Sequence, residues 1–197
     1  WKLLNLGDFD ARDWLIEPVD NLINEQGIDL YRVDFNIDPL VFWRGNDSEN
    51  RQGTTEIKYV MGFLNNWDEL RRRHPDMLID TCASGGRRND LETLRRAVPL
   101  LRSDLILEPT AQQNHTYGIA SWIPFYGTGI NAFDAYTFRS QMCVHSTACY
   151  DMRNAEQDFE TLRQRYAEWH CVSPYSLGDY YPLTPYNSTN DIWMAWQ

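Results

Sequence analysis

Apolar residues recur at helical spacing over two long stretches in the first part of the chain. The first stretch has an apolar stripe that consists of Trp14, Ile16, Val19, Leu22 and Ile23. With acidic residues at its start, it predicts a helix that begins near Asp10 and ends at Gly27. The second stretch predicts a helix over 56–73, because Pro75 blocks its continuation. A third, shorter helix is predicted over 90–97.

Short apolar runs follow these helices at 28–36, 77–82 and 100–104. They have few polar interruptions, which is typical of parallel strands that are buried on both faces. Helices that alternate with such strands indicate a parallel sheet covered by helices. We therefore predict an α/β fold and a single domain over residues 1–197.

The second half of the chain has a looser pattern. It predicts a loop that leads into a strand over 121–131, followed by an amphipathic helix over 154–169. The segment 173–186 is rich in Pro, Tyr and Gly and predicts an aromatic-lined loop. A final strand is predicted over 191–196.

Charge and hydropathy narrow the classes of partner. The net charge of −10 argues against nucleic acid, whose binding requires clustered Lys and Arg, and the basic runs at 71–73 and 87–88 are short. The chain has no run of 18 apolar residues, so we expect no membrane span. A neutral ligand is compatible with this charge, and the sequence leaves the cellular compartment open.

The cysteines and aromatic residues suggest chemistry only weakly. Four cysteines occur without a CxxC pair, so no disulfide framework is predicted; they are Cys82, Cys143, Cys149 and Cys171. A metal site at Cys143, His145 and Cys149 fits no standard zinc spacing, so we expect ordinary buried residues there and no metal. Four rings are candidates for a sugar platform, with core or loop packing as the alternative: Trp43, Trp122, Tyr126 and Tyr181.

Polar residues collect where the predicted strands end. Asp34 and Asn36 close the first strand, the segment 82–86 closes the second, and Asp104 closes the third. In a barrel of parallel strands, the carboxyl ends of the strands form the active face. These positions are therefore the first candidates for catalysis and binding.

Asp34 ends an apolar strand, where a carboxylate is costly unless a hydrogen bond or a cation compensates it. Arg32 lies two residues earlier, so its side chain points to the same side of the strand and would favour the ionised form of Asp34. An ionised, positioned Asp is suited to nucleophilic attack on a sugar anomeric carbon. The alternative is an Asp that caps the following loop.

Asp104 follows Ser103 and precedes the apolar segment 105–107. Apolar surroundings would favour the protonated carboxyl, as a general acid requires. A helix-capping Ser–Asp pair is the alternative. Together, Asp34 and Asp104 offer the two carboxyl groups that glycoside hydrolysis uses.

The loop at 82–90 contains two adjacent glycines, which allow backbone amides to approach a ligand closely. A phosphate-binding loop is one possibility, but neither the GxxxxGK[ST] nor the GxGxxG pattern is present. A cradle for sugar hydroxyl groups fits this loop better.

An ordered set of motifs covers residues 3–104: LNLGD at 4–8, ARDW at 11–14, GIDLYRVDFN at 27–36, DTCASGGR at 80–87 and RSD at 102–104. In order and separation, these motifs resemble glycoside hydrolase family 36, the α-galactosidases or melibiases. The resemblance implies a (β/α)₈ TIM barrel and a retaining, double-displacement mechanism that needs no metal or organic cofactor.

The resemblance also implies roles for individual residues. Asp34 stands where the family has its nucleophile, and Asp104 stands where it has its acid/base. Cys82 and Gly85 fall in the loop that contacts substrate hydroxyl groups. Arg32 stands where Lys is usual. We assign substrate binding to seven residues: Arg32, Asn36, Cys82, Ser84, Gly85, Gly86 and Arg87.

The resemblance begins near the third barrel strand, so about six of eight βα units would be present, giving a partial barrel. Because an open barrel would expose a sheet edge, we expect a homo-oligomer or completion of the barrel by another chain.

The expected substrate is an oligosaccharide or other glycoside with a terminal α-galactoside or α-N-acetylgalactosaminide. Transglycosylation is an alternative to hydrolysis. The alternative is a non-catalytic sugar-binding or structural barrel fragment, which would need another chain or its missing strands for activity.

Overall fold

The computed structural model describes residues 2–197, which form two compact units. The first unit contains the chain up to Ala83 together with Arg87–Val98, and the second contains Ser84–Gly86 and Pro99–Gln197. The single domain over 1–197 therefore stays a prediction.

Helices and strands alternate along both units. The first unit contains, in chain order, α1 (Phe9–Gln26), β1 (Leu30–Asp34), α2 (Leu40–Asn46), a 3₁₀ turn (Glu49–Arg51), α3 (Thr54–Arg73), β2 (Leu78–Cys82) and α4 (Leu91–Leu94). The second contains α5 (Pro109–Ile119), β3 (Gly127–Ile130), α6 (Ala135–Ser140), β4 (His145–Ala148), α7 (Phe159–Val172) and a 3₁₀ turn (Ser173–Leu177).

The first helix is set by residues at its two ends. The Asp8 carboxylate accepts hydrogen bonds from the backbone N–H groups of Asp10 and Ala11, at 2.9 and 3.2 Å, and so caps the N-terminus of α1. At the other end, Gly27 adopts a left-handed backbone with φ of 63° and donates its N–H to the Ile23 carbonyl. The helix predicted from the apolar stripe is confirmed, with its start at Phe9.

The core of the first unit lies between α1, α3 and the sheet. Its helix α3 buries one face, which includes Phe63, Trp67 and Leu70, and it ends at Arg73 as predicted. The Leu6 carbonyl lies so close to Gly62 that a Cβ there would stand 1.8 Å from the Leu6 oxygen. Glycine at position 62 is therefore required by this close approach.

The strands of the first unit pair in parallel. In the register of β1 and β2, Leu30 stands beside Leu78 and Asp34 stands beside Cys82. Val98 extends this arrangement on the other side of β2, where its N–H donates to the Ile79 carbonyl at 2.8 Å. Parallel pairing with helical crossovers is the topology that the sequence pattern predicted.

The third predicted strand, at 100–104, is wrong. The structure has a single parallel bridge between Asp80 and Val98, and residues 100–104 have no strand geometry. Beyond Val98 the segment bonds to β3 instead: the Pro99 carbonyl accepts from the Gly127 N–H at 2.9 Å, and the Arg102 N–H donates to the Gly127 carbonyl at 3.1 Å. The helix before it is also short, since α4 covers four residues rather than the predicted 90–97.

The second unit has its own parallel pair, in which Gly127 of β3 stands beside His145 of β4. Ile130, Phe138 and Leu162 form one buried apolar cluster of this unit. The strand predicted within 121–131 is confirmed as β3. The helix predicted over 154–169 is confirmed as α7, but it starts at Phe159, because the Asp158 carboxylate caps the N–H of Thr161.

The C-terminal segment corrects another prediction. Residues 191–196 do not form a strand; Trp196 makes an isolated antiparallel bridge to Pro182. The loop predicted over 173–186 is largely irregular, with the 3₁₀ turn at its start.

The α/β class with parallel strand pairing is confirmed. Over residues 2–197 the structure has four regular strands in two parallel pairs, where the sequence predicted about six βα units. Within the same residues, every helix is too short or too polar to cross a membrane.

An ion-pair cluster between α1 and α3 gives the first unit an acid-sensitive element. Arg73 donates to Glu17, Asp20 and Glu69 at 2.8–2.9 Å. Hydrogen bonds from Arg72 and Arg73 lower the pKa of Glu69 from 4.5 to about 2. Although burial acts to raise it, the pKa of Asp20 is lowered by hydrogen bonds with His74 and Arg73.

We predict that Arg73→Gln lowers the midpoint of thermal unfolding at pH 7, and that its difference from the wild type shrinks as the pH falls from 4.5 to about 2. The difference shrinks in acid because a carboxyl group whose pKa is lowered in the folded state stabilises the fold only while it is ionised. Circular dichroism melts between pH 2 and 7, with exposed Arg51→Gln as control, would measure this. A difference that is independent of pH would contradict the prediction.

Candidate active site

Asp34 and Cys82 stand side by side at the carboxyl ends of two parallel strands. They are register partners in the β1–β2 pair, and the N–H of Phe35 donates to the Cys82 carbonyl at 3.0 Å, so the pairing continues just beyond β1. The Asp34 side chain is exposed, whereas Cys82 is buried. Asn36 is also exposed and follows two residues after Asp34. The first unit therefore has an accessible carboxylate at a strand end, as predicted.

Arg32 and Asp80 form an ion pair on the same two strands, two residues before Asp34 and Cys82. They are register partners, and Arg32 Nη1 donates to Asp80 Oδ2. The Asp80 side chain is only 4% exposed and that of Arg32 is 40% exposed. A buried carboxylate requires such a cation, so the pair stabilises Asp80 within an apolar strand.

The structure therefore pairs Arg32 with Asp80, whereas the sequence suggested that Arg32 acts on Asp34. Burial acts to lower the pKa of Arg32, but the hydrogen bond with Asp80 and the charge of Asp80 raise it, and the nearby Asp34 carboxylate adds to this increase. Asp80, rather than Asp34, is therefore the ion-pair partner of Arg32. Asp80 was missed because its cross-strand partner depends on the register of two strands.

The two adjacent arginines of the loop have different environments. Arg87, which we predicted to bind substrate, is exposed. Arg88 instead lies against two aromatic rings, with its Cζ atom 4.4 Å from the ring centre of Phe35 and 4.1 Å from that of Phe63. Sequence analysis did not single out Arg88, since nothing in the run distinguishes it from Arg87.

The glycine-containing part of the 82–90 loop, Ser84–Gly86, belongs to the second unit, where Gly85 lies close to Asp104. Ser84 and Gly85 both have left-handed backbones, with φ of 51° and 84°. Gly85 is buried, and a Cβ on it would stand 3.1 Å from the backbone nitrogen of Asp104 and 3.6 Å from its Cγ. The predicted sugar cradle and the predicted acid/base are therefore neighbours.

Asp104 itself lies on an irregular segment with an exposed side chain. The Ser103 hydroxyl accepts a hydrogen bond from the Leu105 N–H at 3.2 Å. The apolar shielding that we expected from 105–107 is not provided by its leucines, because Leu105 is 52% exposed and Leu107 is 68% exposed. Their side chains do not bury the Asp104 carboxyl.

Arg102 anchors the segment that leads to Asp104. It is 2% exposed and donates from Nη2 to the backbone carbonyl and Oε1 of Gln112, at 2.9 and 3.1 Å. Its backbone N–H donates to the Gly127 carbonyl, so the segment is tied to both α5 and β3. This anchor was also missed, because Arg102 was read only as part of a motif.

The candidate platform rings divide into packed and exposed ones. Tyr126 is buried beneath Arg102, with 5.0 Å between the guanidinium carbon and the ring centre, and burial raises the pKa of Tyr126 to about 12. Trp43 packs against Tyr59 at 5.3 Å between ring centres. Both are packing residues, whereas Trp122 and Tyr181 are 44% and 56% exposed.

The four cysteines differ in exposure, since Cys82 and Cys143 are buried, Cys149 is partly buried and Cys171 is exposed. All four lie in the described part of the chain as free thiols. Cys143 is buried and donates to the His145 carbonyl at 3.0 Å, and burial raises the pKa of its thiol. Among residues 2–197, no group of three His, Cys, Asp or Glu side chains is arranged to hold a metal ion.

The nine predicted site residues are divided between the units. The first unit carries Arg32, Asp34, Asn36, Cys82 and Arg87. The second unit carries Ser84, Gly85, Gly86 and Asp104.

Comparison with known protein families decides the affiliation of the chain. Residues 2–127, more than half of its length, match the melibiase family. The chain belongs to the melibiase family. Among curated relatives, this melibiase chain is 28% identical to α-galactosidase Mel36A of Lactobacillus acidophilus over 89 residues, which are 45% of this chain and 12% of that protein. It is 24% identical to the probable α-galactosidase C of Aspergillus terreus, over 94% of this chain and 26% of that protein.

Solved structures agree with the melibiase fold. The structure of α-galactosidase AgaA of Geobacillus stearothermophilus in complex with 1-deoxygalactonojirimycin superposes with a TM-score of 0.74 at 19% identity, over 92% of this chain and 27% of that one. The α-galactosidase of Lactobacillus brevis superposes with a TM-score of 0.73 at 16% identity, over 92% of this chain and 26% of that one. The melibiase chain thus spans between 12% and 27% of the length of these relatives.

We predict that Gly85→Ala destabilises the melibiase chain by about 1–3 kcal/mol, because it strains a left-handed backbone and forces Cβ against Asp104. Gly118→Ala is the matched control in the same unit, since its Cβ would meet open space and Ala favours the helix. Urea unfolding of both variants measures the difference. Equal stability of the two would show that Gly85 is not constrained.

Proposed function

We propose that this melibiase chain carries the catalytic residues of a retaining glycoside hydrolase that cleaves terminal α-galactosides by double displacement. In this proposal, Asp34 is the nucleophile and Asp104 is the acid/base. The observation that carries it is the accessible Asp34 carboxylate, beside Cys82 at the carboxyl edge of two parallel strands, in a chain of the melibiase family.

The relatives support the substrate class. Curated relatives from bacteria and fungi are named α-galactosidases. Variants of AgaA of Geobacillus stearothermophilus have been solved in complex with stachyose and with raffinose. A neutral oligosaccharide also suits a chain with a net charge of −10, because neither substrate requires a basic surface.

In the first step, Asp104 donates its proton to the glycosidic oxygen while the Asp34 carboxylate attacks the anomeric carbon. The bond between the anomeric carbon and the leaving oxygen breaks, and an ester between Asp34 and the sugar forms. The leaving group departs as a neutral alcohol, so Asp104 is left as a carboxylate.

In the second step, the Asp104 carboxylate removes a proton from water, whose oxygen attacks the anomeric carbon. The ester breaks, Asp34 returns to a carboxylate and Asp104 regains its proton. Two inversions at the same carbon give retention. A sugar hydroxyl in place of water would give transglycosylation.

The remaining polar groups bind the sugar in this proposal. Asn36 and the Arg32–Asp80 pair border Asp34 on the first unit, and the amides of Ser84, Gly85 and Gly86 lie on the loop whose Gly85 contacts Asp104. Amides and an arginine suit hydroxyl groups, which both donate and accept hydrogen bonds. Comparison of p-nitrophenyl α-galactoside with its N-acetylgalactosaminide would assign the preferred sugar.

We predict that Asp34→Ala lowers kcat/KM on both p-nitrophenyl α-galactoside and raffinose by about 10⁴. Asp104→Ala should lower it by about 100-fold or more on raffinose, and much less on the p-nitrophenyl substrate, whose leaving group departs without a proton. Steady-state kinetics of both variants measure this, with exposed Asp38→Ala as control.

If Asp104→Ala lowers kcat/KM equally on the two substrates, the role of Asp104 as general acid is contradicted. Turnover that survives Asp34→Ala would contradict its role as nucleophile. If the wild type binds raffinose without cleaving it, and both variants bind it equally well, a non-catalytic sugar-binding fragment is favoured.

A further inference from the structure

Arg88 lies within an aromatic cluster of the first unit. Its guanidinium carbon stands 4.4 Å from the ring centre of Phe35 and 4.1 Å from that of Phe63. Phe63 is 7% exposed and belongs to the core of that unit. Arg88 Nη1 is buried without a hydrogen-bond partner among residues 2–197. The rings are therefore the principal contacts of this guanidinium.

This environment is costly for a cation. Desolvation lowers the pKa of Arg88, although the charge of Asp90 acts in the opposite direction. Contacts with two aromatic faces offset part of that cost, but an apolar side chain would fill the same space without it. Arg88 is half-buried, and a cation held on two aromatic rings is a candidate for a role beyond packing.

The Arg88 contact connects two segments of the candidate site. Phe35 directly follows Asp34, and its N–H donates to the Cys82 carbonyl at 3.0 Å. Arg88 lies at the end of the loop that begins at Cys82. The chain thus returns from the end of β2 to cover the ring next to Asp34.

A cavity lies beside this cluster. The cavity has a volume of about 240 Å³, and its lining includes Phe35, Trp43, Tyr59 and Arg88. Without the guanidinium on its face, the Phe35 ring has room to turn into this space. The backbone at Phe35 would then loosen its hydrogen bond to Cys82, and Asp34 would lose its fixed direction.

We propose that Arg88 is a positioning residue, which holds Phe35 and thereby fixes the orientation of Asp34 for attack on the anomeric carbon. This inference rests on the proposed function and extends it to a residue that acts through Phe35. A misplacement of a reacting group by about 1 Å costs about 10²-fold in rate, so a loose Phe35 would reduce turnover.

Hydrogen exchange tests the positioning without any need for turnover. NMR of the ¹⁵N-labelled chain would follow the Phe35 amide, with the Val98 amide as an internal reference, because Val98 donates to Ile79 on the far side of β2. In Arg88→Ala, Phe35 exchange is expected to accelerate by about tenfold, with Val98 unchanged. Arg88→Lys keeps the charge but lacks the flat guanidinium, so an intermediate acceleration is expected.

Kinetics on p-nitrophenyl α-galactoside supply the second readout. Arg88→Ala is expected to lower kcat by about tenfold with little change in KM, and Arg88→Lys to recover part of the loss. Arg95→Ala is the matched control for both readouts, since Arg95 is exposed and pairs with Glu92 on the surface.

Three results would overturn the inference: unchanged Phe35 exchange, equal acceleration of Phe35 and Val98, or faster Phe35 exchange with unchanged kcat. Equal acceleration of Phe35 and Val98 would indicate a general loss of structure. If Arg88→Ala fails to fold, Phe35 exchange and kcat can still be measured in Arg88→Lys. If the wild type gives no turnover, the hydrolase proposal fails, while Phe35 exchange still decides whether Arg88 holds the end of β1.

Discussion

The buried carboxylate of Asp80 interrupts an apolar strand and requires a cation, which Arg32 supplies from the neighbouring strand. This pair is coupled to the register of the sheet. A slip of β1 by one residue would turn Arg32 and Asp34 to the opposite face and leave Asp80 without that guanidinium. The need to compensate one buried charge thus helps to place Asp34 beside Cys82, at the edge where chemistry is proposed.

Buried apolar side chains hold the strands of this arrangement in place. Trp67, Leu70 and Ile79 are essentially inaccessible, and they fix α3 against β2. In the second unit, the hydrogen bonds from Arg102 to Gln112 hold the segment that ends at Asp104. Each candidate carboxylate is therefore exposed, while a buried arginine or ion pair lies next to it in the chain or the sheet. Rigid, buried supports beneath accessible groups are what precise catalysis requires.

The parts that the sequence could predict were those determined by local chemistry. The helices α1 and α3 follow from long apolar stripes with Gly27 and Pro75 as stops, and the carboxylate at the end of β1 follows from a polar residue after an apolar run. Contacts between distant segments could not be predicted in this way. The partner of Arg32 depends on strand register, and the choice of Arg88 over Arg87 depends on which side chain the loop turns toward Phe35. The strand expected at 100–104 failed because pairing with β2 is limited to the bridge at Val98, and the following segment is held by hydrogen bonds to the distant Gly127.

The central claim is that Asp34 forms a covalent bond with the sugar. Its most direct test is incubation with a fluorinated α-galactosyl fluoride, in which the ring fluorine slows release of the intermediate while the good leaving group keeps its formation fast. Peptide mass spectrometry would then locate the label. The account predicts one galactosyl-type adduct per chain, on Asp34. An adduct on another residue, or turnover of the reagent with Asp34 never labelled, would contradict it.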